Sequence, residues 1–445
     1  MNAILNYLKK NYIGFSVSVL LLLQVFLLPT LLGEEAAGGI LFSIAAVGIG
    51  YFGYKAYLFR KQNPDFKAAE STTLVNILGS IIAILTGLLF GFVLMLIINP
   101  NQAIDGFFTI LEGGFRNIES LGDMIYFSVP LILTGLSVAF AFRTGLFNIG
   151  ASGQLTIGAF VAVYIGVRWG ALADIHPLLH WLAAILFATI AGGLWGAIPG
   201  LLKAYRNVNE VVASIMLNYV AMYINTVLIR NFIYNPDFAR ALDIKPSAAS
   251  PTFNLDLLFP DSSINAGIIV ALIVVLILHI ILNKTTFGYE LKAVGLNRDA
   301  AKYAGMNAKR NIVISMIISG AVAGLAGALL FLVQGKHLTP VNTILTEGFT
   351  GIAISLLGLS SPIGVLLAGL FYGSLQQGGY FLQLYDYKPE IIDIIIAVII
   401  YASALGLFLQ KFVLKGLKAS EMRAARQGPG DATGDTTEAE GSDDK

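Results

Sequence analysis

Residues 283–310 read NKTTFGYELKAVGLNRDAAKYAGMNAKR, the one long charged stretch between two apolar spans. Lys284, Lys292, Arg298, Lys302, Lys309 and Arg310 outnumber Glu290 and Asp299. A loop with such a basic excess is held on the cytoplasmic side of a membrane, so this stretch orients the spans on either side of it. Within it Asn297 has the side chain of an N-cap. Asp299 falls in the first turn, where the helix dipole favours an acid, and Gly305 suits the position just past the end. The spacing predicts a two-turn helix at the membrane surface. Its face of Ala300, Ala301 and Ala304 lacks bulk. Such a face fits either a groove in another protein or a solvated connector, and the residues alone leave both readings open.

The chain around this stretch is suited to lipid. Of its 445 residues 56% are hydrophobic and 12% charged, whereas soluble globules carry about 25% charged residues. Mean hydropathy is +0.76. The expected fold is therefore an all-α polytopic membrane protein. A net charge of +1 excludes a globally basic nucleic-acid binder, and the absence of Cys excludes disulfides and thiolate-held zinc or redox centres. Its scattered His residues form no HExxH, and no Walker A or GxSxG pattern occurs. No metal and no cofactor is expected, and the chain is expected not to be an enzyme.

Outward from 283–310, apolar runs and loop charges divide the chain. Residues 13–32 and 38–59 form a hairpin anchor within 1–70. Spans at 76–98, 124–142, 150–167, 181–202 and 211–229 make a first half within 71–230. An external loop fills 231–264 despite its Arg240 and Lys245. Spans at 265–282, 311–333, 347–359, 362–377 and 391–409 make a second half within 265–412, with the basic segment 284–310 inside it. Residues 99–123 are expected as an external loop. The run at 347–359 is short for a full crossing and reads as a broken or re-entrant helix. Residues 413–445 form a basic stretch followed by a small, acidic tail expected to be disordered. These twelve spans place both termini in the cytoplasm. Five core spans per half give the two halves opposite orientation, as in inverted-repeat transporters.

Small residues recur every fourth position at Gly192, Gly196 and Gly200 and again at Gly320, Gly324 and Ala328, the spacing for close helix packing in lipid. Pro199 is expected to kink its helix. GLFNIGASGQ at 145–154 opens a span with Asn148 as a candidate N-cap and free backbone N–H groups beyond it. Asn207 and Glu210 stand at capping-box spacing before a helix that places Ser214, Asn218 and Asn225 near one face. Amides at that depth either bond neighbouring helices or line a wet path. The core spans hold almost no ionisable side chain between their ends, although a proton-coupled carrier normally keeps one there. A path without its own power source, next to a candidate docking helix, suggests a partner that hydrolyses nucleotide.

Three motifs carry a family resemblance: the 145–154 segment; Thr286-Phe-Gly288 with 291–295, Asn297, Ala300-Ala301 and Ala304-Gly305; and Gly348-Phe349, Ile352-Ala353, Leu357-Gly358, Pro362 and Gly364. Over residues 76–412 the chain resembles the permease subunits of bacterial ABC importers in the branched-chain amino acid and ribose superfamily, nucleoside (purine) branch. The resemblance implies a multi-pass subunit of the plasma membrane whose coupling helix, Asn297 to Gly305, sits in a separate ATPase. It further implies a second homologous permease chain, giving a heterodimer, and an extracellular lipoprotein that delivers a nucleoside. On that reading Phe147, Asn148, Gln154, Ser214, Asn218, Tyr219 and Asn225 are candidates for the path, with Phe147 or Tyr219 available to stack on a base. Ser152 stands where the family often has Glu, and Ser361 where Asn or His is common. The alternatives are a permease for ribose, another sugar or branched-chain amino acids, or an ion-coupled secondary carrier. The last would carry a G-x-x-x-D-R-x-G-R-R-like loop after its second span, where this chain reads KQNPDFK.

Overall fold

A computed structural model of the chain describes residues 72–388 and 390–405. The expected hairpin at 13–59 and the expected tail at 413–445 lie outside these residues. The helices are α1 (Thr72–Ile98), α2 (Ala103–Glu112), α3 (Ile118–Arg143), α4 (Ala151–Arg168), α5 (Ala171–Ile175), α6 (Pro177–Arg206), α7 (Glu210–Leu228), α8 (Gly267–Lys284), α9 (Thr286–Leu296), α10 (Arg298–Tyr303), α11 (Ala308–Phe331), α12 (Glu347–Leu357), α13 (Pro362–Phe381) and α14 (Glu390–Ala404). A two-stranded antiparallel ribbon, β1 (Tyr234–Asn235) with β2 (Arg240–Ala241), is the sheet among the described residues. The protein is an all-α polytopic membrane protein. Within the described residues every core span read from the sequence overlaps one of these helices, the last span running on past them, and α1, α3, α4, α6, α7, α8 and α11 are long and apolar enough to cross a bilayer.

Burial separates an inner from an outer set. The apolar windows of α3, α4 and α11 are 72–78% buried, those of α1, α6, α7 and α8 only 28–33%. Leu89, Leu194 and Leu276 on the outer helices stand exposed, as side chains do when the surrounding solvent is hydrocarbon. The two glycine rows meet: a Cβ on Gly192 would run into Gly320 O and into Gly324 Cα at 2.6 Å, and one on Gly158 would also strike Gly324. Only hydrogen at these positions lets α4, α6 and α11 approach so closely, and in lipid such packing replaces the hydrophobic drive between helices.

Several local expectations are corrected. Residues 99–123 are not an open loop: α2 and a 3₁₀ turn at Gly113–Phe115 pack back on the bundle, with Gly113 against the Gly378 backbone and Gly106 against Met95 and Tyr387. The cap of α7 is Asn209, whose side chain accepts from Val211 N at 2.9 Å. Asn207 instead closes α6 in left-handed conformation (φ 52), and Glu210 pairs with Lys203 at 2.9 Å. Asn148 does not cap α4, which follows Gly150. An additional helix, α9, starts at the Thr285 cap, which accepts from Gly288 N at 3.1 Å. The loop between α7 and α8 is tied to the segment after α11 through Ala241 N to Leu338 O and Ser250 N to Leu332 O, both 2.8 Å. With 11 residues, α12 is about 16 Å long, roughly half the hydrocarbon thickness. It is a half-helix, one of the two options its length left open.

Candidate functional site

At one end of the bundle the basic segment folds as α9, α10 and the start of α11. Asn297 Oδ1 accepts from Asp299 N at 3.0 Å and Ala300 N at 2.9 Å, which is the cap the sequence predicts. Gly305 takes φ +82, and Met306 N bonds back to Ala301 O at 3.0 Å. The helix has six residues. Its alanines do not share one outward face. Ala301 is 4% exposed and packs with Ala141, Leu146, Ala204, Val294, Ala308 and Ile312 of the bundle itself. Ala300 and Ala304 remain exposed, flanked by Leu296 at 88% and Tyr303 at 95%. Positions 300, 303 and 304 share helical spacing on α10, and Leu296 ends α9 just before the extended Asn297. Leu296 and Tyr303, missed in the sequence, are large apolar side chains among charges, and that contrast is the signal for a contact surface.

The polar residues of α3, α4, α7 and α11 are brought together, mostly as bolts between helices. Asn148 Nδ2 donates to Gln154 Oε1 at 2.8 Å and Ser319 Oγ at 2.7 Å, while Ser319 Oγ donates to Ser137 O at 2.7 Å. Asn218 Oδ1 accepts from Gly153 N at 2.8 Å, and its Nδ2 donates to Ile149 O at 3.0 Å. Ser214, Asn225 and Ser152 are buried, and Ser214 Oγ, Asn225 Oδ1 and Ser152 Oγ have no hydrogen-bond partner. The aromatics lie elsewhere. Tyr219 is 49% exposed on the outer side of α7, and Phe147 stacks on Phe142 with ring centroids 4.9 Å apart.

At the end opposite α10 a cavity of about 490 Å³ opens between α3, α11, α12, α13 and α14, a size typical of small-molecule sites. Tyr126, Lys336, Glu347, Tyr372, Gln376 and Asp393 supply its polar and aromatic walls. None of the sequence-derived path residues lines it. Its floor is the start of α12, where Thr346 makes no side-chain cap bond and the dipole presents its positive end. Transporters offer backbone N–H groups to a solute at the ends of such half-helices. Lys336 Nζ lies 5.6 Å from the centre of the Tyr126 ring. Burial pushes the Lys336 ammonium below the ordinary lysine range, and the attraction of Glu347 offsets only part of that. Among the described residues no His, Asp and Glu cluster is placed to hold a metal ion.

Residues 120–404 match the family described as the permease component of branched-chain amino acid transport systems. The chain is 41% identical over 347 residues to the guanosine ABC transporter permease protein NupP of Bacillus subtilis, covering 78% of this chain and 97% of that protein. It is 36% identical over 355 residues to the nucleoside ABC transporter permease protein NupB of Lactococcus lactis, covering 78% and 96%. It is 31% identical over 366 residues to the glucose ABC transporter permease protein TsgB13 of Haloferax volcanii, covering 80% and 93%. No solved structure matches.

Proposed function

Because this chain belongs to the permease family of branched-chain amino acid transport systems, we propose that it is the membrane-spanning subunit of an ATP-driven importer of nucleosides. The observation that carries the cargo is the 41% and 36% identity, over nearly the whole of each relative, to permeases named for guanosine and for nucleosides. The cavity agrees with such a cargo. Tyr126 and Tyr372 offer aromatic faces, and Gln376, Asp393 and Glu347 offer acceptors for hydroxyl and amine hydrogens. Two carboxylates against one lysine disfavour a phosphorylated solute.

The energy source is a separate ATPase seated on α10, with Leu296, Ala300, Tyr303 and Ala304 as the contact face and Asn297, Asp299 and Gly305 shaping the helix. The α10 end is then cytoplasmic, consistent with its basic excess, and the cavity faces outward to receive solute from a binding lipoprotein. A second homologous permease completes the path, and the core consists of two five-helix halves, 71–230 and 265–412. Of the residues read from the sequence, Ser214 and Asn225, with their unpartnered oxygens, are assigned to the path. Asn148, Gln154 and Asn218 hold the helices that border it. A sugar cargo is the second reading, favoured by the 31% identity to TsgB13. Competition separates the two: excess unlabelled inosine is expected to suppress guanosine uptake by the reconstituted transporter, and excess glucose or ribose to leave it unchanged. Suppression by sugar alone would assign the cargo to sugars.

A further inference from the structure

The last residue of α3, Arg143, reaches across to another part of the chain. Its Nε donates to Ser360 O at 2.8 Å and its Nη2 to Leu359 O at 3.2 Å. Both carbonyls belong to the turn between α12 and α13, where Leu359 (φ 54) and Ser360 (φ 50) adopt left-handed backbone. Two successive residues with a Cβ take that conformation only where the surroundings impose it. Here the guanidinium fork holds both carbonyls, and Ser360 N adds a bond to Ser355 O at 2.8 Å.

Arg143 is also fastened to the surface segment. A Cβ on Gly295 would meet Arg143 O and Gly145 N at 2.8 Å each, and one on Gly145 (φ +70) would meet Gly295 O at 2.9 Å. The backbones of the α3–α4 link and of α9 therefore touch, two residues before Asn297 caps α10. At its other end α12 carries Glu347 and Thr350 into the cavity. Along its length it is seated on the inner helices, Gly348 against Ser152 and Gly351 against Thr134. A rigid helix with one end at the Arg143 turn and the other in the cavity cannot shift at one end alone. The path from α10 to the cavity is thus a continuous series of backbone contacts and charge-assisted hydrogen bonds.

We infer that Arg143 is the positioning residue that transmits displacement of α10 to the α12 half-helix, and so to the cavity wall. This rests on the importer reading. Lysine at 143 keeps the charge but reaches one carbonyl instead of two, because it lacks the planar fork.

The test uses the complete transporter in proteoliposomes. The chain has no native cysteine, so Thr350→Cys gives its single thiol, read on the separated band of this chain. With Arg143 in place, the rate of maleimide labelling at position 350 is expected to differ between nucleotide-free and ATP–vanadate-trapped complex. Arg143→Gln is expected to abolish that difference and lower uptake about tenfold while substrate-independent ATP hydrolysis stays within about twofold. Arg143→Lys is expected to fall between the two, and it carries the test if the Gln variant does not assemble. Full nucleotide-dependent labelling and full uptake in the Arg143 variants would overturn the inference. Absence of ATP-driven nucleoside uptake with Arg143 present would instead remove the importer reading, and this inference with it.

Discussion

The side-chain amides of Asn148 and Gln154 are paired head to tail, Asn148 Nδ2 on Gln154 Oε1 at 2.8 Å and Gln154 Nε2 on Asn148 Oδ1 at 3.1 Å. Both are buried at the start of α4. Each amide satisfies the other in a place where water does not compensate, so the pair holds structure in preference to meeting solute. Replacing Gln154 by Leu removes both bonds of the pair, leaving Asn148 only its Ser319 and Gly150 partners, and is expected to cost about 1–3 kcal/mol. The expected result is a lower melting temperature in detergent with the nucleoside preference unchanged. A changed preference at unchanged stability would move Gln154 into the path.

The two faces of α10 are expected to respond oppositely. Ala301 is packed against Val294, Ala308 and Ile312, so Ala301→Arg overfills the bundle by at least about 1–3 kcal/mol and should lower yield and melting temperature. Tyr303 is 95% exposed, so Tyr303→Asp should leave both unchanged while abolishing substrate-stimulated ATP hydrolysis in the assembled complex. Wild-type hydrolysis in the Tyr303 variant would reduce the segment to a connector.

How much of this was legible in the sequence follows from what each feature depends on. Span positions depend on hydrocarbon thickness and apolar run length, both local, and α1, α3, α4, α6, α7, α8 and α11 fall where those runs fall. The Asn297 cap and the Gly305 stop are equally local. The choice of Asn209 over Asn207 as the α7 cap accompanies the Lys203–Glu210 pair, which forms only once α6 ends in its left-handed turn. Helix α9 opens with Thr-Thr-Phe-Gly, which reads as a turn until Gly288 packs on Ile281 and Leu282. Ala301 faces inward because the contact of Gly295 with the Arg143–Gly145 backbone fixes how α10 lies on the bundle, which composition does not encode. The cavity was the least legible. Tyr126, Lys336, Glu347, Tyr372 and Asp393 come from separate segments and are unexceptional one at a time.

Gly192 lies at a close approach of α6 and α11. Gly192→Leu puts a side chain where Gly320 O and Gly324 Cα already stand, and the helices must part. The expected outcome is loss of folded protein, read as a collapse of the monodisperse peak in size exclusion. Gly305→Ala meets nothing within 4 Å but must adopt φ +82, so a smaller loss, about 1 kcal/mol, is expected there. A Gly192 variant as stable as the Gly305 variant would contradict the packing described for α6 and α11.

Lys336 gives a pH signature. Burial sets its folded pKa below the ordinary value of 10.5, so between those two values the unfolded chain binds more protons than the folded one. Stability contributed at this site therefore rises with pH across that interval. Melting of the wild type relative to Lys336→Met is expected to shift in favour of the wild type as pH climbs toward 10.5. A difference independent of pH would mean that the ammonium is solvated.

The central claim is that this chain moves a nucleoside only when a separate ATPase drives it. The direct measurement is accumulation of tritiated guanosine in proteoliposomes carrying this permease with its second permease chain and ATPase, supplied with binding protein and ATP on the appropriate faces. The account predicts accumulation that requires ATP and the ATPase chain, withstands collapse of proton and sodium gradients, and is lost with Tyr303→Asp. Accumulation by this chain alone, driven by an ion gradient and indifferent to ATP, would contradict it.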